Sequence, residues 1–173
     1  MTESSDSVRM RWWKLPAVWA LFLFLHFSFD LLPSALFRLL GEEGETTFFH
    51  MKMLFVAYVI ISLVEFAAGR TGPVSRSQFA SVRALVAVAY PWLTITIWFT
   101  AEAIGLVFRS LAVELVYANV VTAVGIYLAL RLEQALDPVE FGRPLKALVA
   151  VCFVAAVVSY AAFSLKVPMP FFT

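Results

Sequence analysis

Two histidines and a few carboxylates are the residues whose chemistry could go beyond packing. His26 and Asp30 lie four positions apart, so on a helix they share one face, one turn from each other. A carboxylate at that spacing can hold an imidazole ring and raise its basicity, as in an acid–base centre. His50 opens the next apolar stretch, and Lys52 two positions on must point to another face. Glu45 stands just before it, and Glu102 closes a later stretch, with Trp98 one turn back and Gly105 three residues on. Ionisable groups in apolar spans are costly and are functional candidates by default. The candidate catalytic residues are therefore His26, Asp30, His50, Glu45 and Glu102. The plainer alternatives are that His26 bonds a neighbouring helix and Asp30 caps a loop. Lys52 is expected to snorkel to the interface, and Glu114 to sit at a helix start, where negative charge is favourable.

Other chemistries find less. Two histidines with Asp30, Glu45 or Glu102 would give a mixed nitrogen and oxygen metal site, but no H-E-x-x-H is present. A haem between His26 and His50 needs only matching depth on facing helices. The lone Cys152 allows no intrachain disulfide and no cysteine-rich zinc site. There is no G-x-S-x-G, and seven scattered glycines make no phosphate-binding loop.

The elements that must position these residues follow from composition. Of 173 residues 62% are hydrophobic and 14% charged, far from the even balance of a soluble domain. At roughly 20 apolar residues per crossing, the chain supplies about five spans and no second domain. Seventeen Phe and five Trp exclude disorder, and a net charge of +1 gives no sign of a nucleic-acid partner. The expected fold is an all-α membrane bundle, a single domain over 1–173, with spans near 15–32, 47–68, 84–107, 111–130 and 145–165. The first is a retained span entered through Trp12, Trp13 and Lys14, which suit the interface. Ser34–Leu40 reads as a short interfacial helix, and Pro91 as a kink within the third span.

Orientation follows from the basic residues. Arg9, Arg11, Lys14, Arg70, Arg76, Arg83, Arg131, Arg143 and Lys146 fall on one side of a five-span chain; Arg38, Lys52, Arg109 and Lys166 fall on the other. Nine against four puts the N-terminus inside and the C-terminus outside. In that frame the polar residues crowd the outer half, with Glu65 the exception near the inner end of span two.

Three stretches carry a likeness. His26-Phe27-Ser28-Phe29-Asp30 resembles an H-F-x-Y-E/D element, and Gly44 to Lys52 resembles N-E-S-x-x-E-H-x-K. Val167 to Phe172 is similar to a P-P-H-I-P-L-F tail. Together they resemble a family of small bacterial multi-pass membrane proteins classed as a domain of unknown function. By position His26, Asp30, Glu45, His50 and Lys52 match its polar elements. Phe29 stands where the family has Tyr, Phe49 where it has a second Glu, and the tail lacks its His. The likeness implies a bacterial cytoplasmic-membrane protein and names no chemistry.

The functional expectation is a polar pocket in the outer half of the bilayer, in an enzyme using acid–base chemistry on a lipid or isoprenoid-like amphiphile. The alternatives are a small transporter or proton or cation relay, and an accessory subunit. Besides the bilayer, a protein partner or a second copy of the chain is compatible with this composition.

Overall fold

A computed structural model of the chain describes residues 10–40, 46–106, 108 and 110–165, apart from the side chains at 38, 102 and 165. Among these there is no strand. The elements in chain order are α1 (Lys14–Leu31), α2 (Ala35–Leu40), α3 (Thr47–Ala67), α4 (Arg76–Ala103), α5 (Leu111–Leu136) and α6 (Arg143–Leu165). All except α2 are long and apolar enough to cross a bilayer. The protein is an integral membrane protein built as a five-span helical bundle. We call basal the end holding the start of α1 and the α3–α4 and α5–α6 turns, and distal the opposite end.

Local chemistry sets the helix ends. Pro16 sits in the first turn of α1, where its missing N–H costs nothing, and Leu32 leaves helical geometry immediately before Pro33. The extended Thr46 caps α3, its hydroxyl accepting from the Phe49 N–H at 3.3 Å. At the other end of α3, Gly69 takes φ 68°. Its N–H donates to the Phe66 carbonyl and that of Arg70 to the Glu65 carbonyl, closing the helix in a left-handed turn that favours glycine. The Ser75 hydroxyl accepts from Gln78 N–H at 3.1 Å and starts α4.

Two helices run further than the apolar runs imply. α4 begins at Arg76 rather than Ala84 and ends at Ala103, and α5 continues to Leu136 rather than stopping near Leu130. The added turns hold Gln78, Arg83 and Glu133, which are buried. Their polarity is met by neighbouring helices, so it does not end the helix. Pro91 lies inside α4 without breaking it.

α4 is the hub, flanked by α3, α5 and α6, while α1 packs on α3 and α5. The core joins Val18, Phe22 and Leu25 of α1, one stripe at helical spacing, to Met53 and Tyr58 of α3 and Ile126 and Leu130 of α5. Outward positions such as Leu63, Val116, Leu148 and Val151 remain apolar and exposed, as suits a lipid-facing surface.

α4 and α5 are in tight contact at Gly125. A Cβ there would lie 2.1 Å from Thr94 Oγ1 and 3.0 Å from Thr94 Cβ. Gly125→Ala is therefore expected to destabilise the protein by about 1–3 kcal/mol through overpacking. Thermal unfolding in detergent measures this. Adding Thr94→Ala should restore part of the loss, because it removes the closer atom but leaves Cβ. A Gly125→Ala protein that unfolds at the parental temperature would contradict the close packing.

Candidate functional site

The α1–α3 reversal places the end of α1 beside the start of α3, and so His26 beside His50. Their ring centroids are 5.4 Å apart at 38°. Phe22, one turn before His26, packs against both rings, at 6.2 Å and 6.5 Å. Phe27 meets His26 edge-on at 4.8 Å. Both histidines are partly buried.

His50 Nδ1 lies 2.9 Å from the Thr46 carbonyl. A carbonyl only accepts, so Nδ1 must carry the proton, which leaves Nε2 of the neutral ring as an acceptor. Thr46 thus does two jobs: its hydroxyl caps α3 and its carbonyl fixes the tautomer of a residue one turn on. The site can take up and return a proton at His50 Nε2 beside a second imidazole.

The other sequence candidates fare differently. Asp30 is exposed, one turn beyond His26. Glu45 lies outside the described residues, and Glu102 stands on the last turn of α4 with its side chain outside them. Glu114 is exposed in the first turn of α5. Among the described residues no three His, Cys, Asp or Glu gather as a metal-ligand set. The two imidazoles are at stacking distance, so a haem does not fit between them as they stand.

Two lysines depart from expectation. Lys52 does not snorkel: it is 1% exposed, its Nζ 4.7 Å from the Phe49 ring centre and 3.2 Å from Ser164 Oγ of α6. Its face of α3, two residues round from His50, is turned toward α6, so that the Ser164 hydroxyl of α6 and the Phe49 ring of α3 receive the ammonium. Lys14, expected at the interface, is 0% exposed.

Lys14 belongs to an assembly that sequence reasoning missed. At the basal end, Arg11, Lys14 and Arg83 meet Glu65, Glu133 and Asp137. Arg83 grips Asp137 with two donors, at 2.6 Å and 3.2 Å, and its Nε is 3.5 Å from Glu133 and 3.8 Å from Glu65. Lys14 bonds Glu133 and lies 3.1 Å from Glu65, and Arg11 also bonds Glu65. The Tyr58 hydroxyl donates to Glu133. Phe79 is flanked by the guanidinium groups of Arg11, at 5.6 Å, and Arg83, at 4.3 Å.

Three positive and three negative groups balance, and four elements are tied together. Among the described residues the charged assembly with the most members is thus basal, so Glu65 is not a lone exception at its end. One sequence signal pointed here: Glu65, Glu133 and Asp137 all lie at the same end as the basic residues used for orientation. With every charge answered, the cluster clamps helices rather than offering a free reactive group. Comparison of the chain with protein-family models, with curated proteins and with solved structures finds no match in any of the three.

Proposed function

We propose that the protein is an enzyme of the bacterial cytoplasmic membrane that moves a proton on a lipid or isoprenoid-like amphiphile, with His26 and His50 as its acid–base pair. The observation that carries this reading is the contact of the two imidazoles, with the His50 tautomer fixed by the Thr46 carbonyl. His50 Nε2 is the base and His26 the acid, while Asp30, one turn from His26 on α1, and the sequence candidates Glu45 and Glu102 tune and orient them. The exposed Phe27 and Leu31 beside His26 give an amphiphile a lateral approach. The basic-residue count supports a pair in the outer half, with the N-terminus inside. The likeness of the histidine-bearing stretches to a bacterial membrane family supports the same location.

The basal charge cluster gives a relay more to work with than the sequence did, since polar groups now stand at both ends. Against a relay stands the path between them. From the buried Lys52 to Tyr58, α3 buries Met53, Leu54, Phe55 and Ala57, about 9 Å of apolar side chains. That favours local chemistry over transmembrane passage.

The test is complementation of a deletion strain. The parental gene is expected to restore the membrane lipid profile, and His26→Ala and His50→Ala are expected to fail at equal protein levels. Full rescue by both variants sinks the reading. Proton flux through reconstituted vesicles would instead point to the relay, and a stoichiometric co-purifying protein to an accessory role.

A further inference from the structure

α6 meets α3 through aromatic rings over only half its length. Phe163 and Tyr160 pack on Phe48 at 5.6 Å and 5.5 Å, and Tyr160 and Phe153 pack on Phe55 at 5.1 Å and 5.5 Å. The ladder stops at Phe153. Toward the basal end the same face of α6 continues with Ala150, Val149 and Lys146, and the facing positions on α4 are Ala80 and Ala84. These small residues leave the space between the helices unfilled, and a cavity of about 410 Å³ opens between α3, α4 and α6. From Lys146 to Val154 its α6 wall spans nine residues, about 12 Å of helix. Leu63 and Val154 at its edges are exposed, so it opens sideways toward lipid.

A second cavity, of about 520 Å³, lies just beyond, between the α3–α4 and α5–α6 turns. Its lining is mixed but far more polar than that of the groove, with Ser75, Gln78 and Glu140 beside Pro73, Val74 and Phe141. Lys146 lines both cavities. Its Nζ is 3.1 Å from Ser77 Oγ, and among the described residues it forms no ion pair. Asp137, also in the second cavity, is engaged by Arg83. Around this mouth Arg143 lies one turn from Lys146, and Arg76 sits 5.8 Å over Phe66 at the groove's edge. Against them stands the exposed Glu140. The first turn of α6 adds its own positive end.

We infer that the α3–α4–α6 groove holds one acyl chain of an anionic membrane phospholipid, whose phosphate is bound by Lys146. An apolar slot joined at a lysine to a more polar chamber matches an amphiphile in shape and in charge. The excess of basic side chains at the mouth selects a net negative headgroup over a zwitterionic one. The site is separate from the histidine pair. Its α3 lining, Val59 to Phe66, begins nine residues beyond His50, about 14 Å along the helix.

The test uses the purified full-length protein, stripped of lipid in detergent. Binding is read by native mass spectrometry and by thermal shift. Phosphatidylglycerol micelles are expected to bind and stabilise, phosphatidylcholine to bind at least ~10-fold more weakly, and inorganic phosphate without a chain to do neither. Lys146→Gln should remove the preference for phosphatidylglycerol. Ala150→Phe, which fills the slot from a lipid-facing helix, should abolish binding of both lipids while the lipid-free protein unfolds at the parental temperature. Equal binding of the two lipids overturns the inference. So does parental binding by either variant, or phosphate alone binding as tightly as the lipid.

Discussion

Replacing Arg83 with methionine is expected to cost about 3–5 kcal/mol of stability, the usual penalty for removing one member of a buried ion pair. Arg83 is 4% exposed and reaches all three carboxylates of the basal cluster. Without it Glu65, Glu133 and Asp137 face only Arg11 and Lys14, and Asp137 loses both its donors. The loss arises from a stranded charge rather than from missing volume, since methionine fills much of the same space. Arg83→Lys should fall between the parent and Arg83→Met. It keeps the charge but gives up the planar two-donor grip on Asp137.

The decisive variant removes both partners. Arg83→Met with Asp137→Leu leaves two cations against two anions, and it is expected to recover most of the stability lost by Arg83→Met alone. A neutral, well-packed replacement of a buried pair is often no less stable than the pair. Thermal unfolding of the single and double variants in detergent closes the cycle. Simple additivity of the two losses would mean that the groups do not act as one charge-balanced unit.

Under the proposed acid–base chemistry, His50→Ala is expected to lower turnover by roughly 10²- to 10⁴-fold, the range a positioned acid or base contributes. The substrate is the lipid species that accumulates in the deletion strain, and the readout is its conversion by the purified protein in vesicles. His50→Gln is the sharper variant. Its side-chain amide can still donate toward the Thr46 carbonyl, which preserves the start of α3. It carries no group that titrates near neutrality, so turnover should fall nearly as far as in His50→Ala while the unfolding temperature holds. Adding His26→Ala should cost little more, because paired groups acting in one step lose their effect together. A His50→Gln protein with parental turnover would remove His50 from the chemistry.

The spans were legible because apolar length alone decides them, and α2 because Pro33 and Ser34 mark its start. The histidine contact was legible too. Both residues lie near the same reversal of the chain, so equal depth could be inferred from position. What hydropathy concealed was at the basal end. Arg83 and Glu133 look like linker residues only while their partners are unknown, and Lys14 and Glu133 are 119 positions apart. Lys52 is alike: its hydroxyl partner on α6, Ser164, lies 112 positions further on. Isolation in sequence was mistaken for isolation in space.

The order in which the basal charges are synthesised has its own consequence. Translation delivers Arg11 and Lys14 first, then Glu65, then Arg83, and only with α5 come Glu133 and Asp137. Until that helix is made, the three cations of the cluster face the single carboxylate of Glu65. The late carboxylates then cancel the surplus and draw α1, α3 and α4 together. The same arginines and lysine wait, short of partners, through three spans and are fastened only by the fourth.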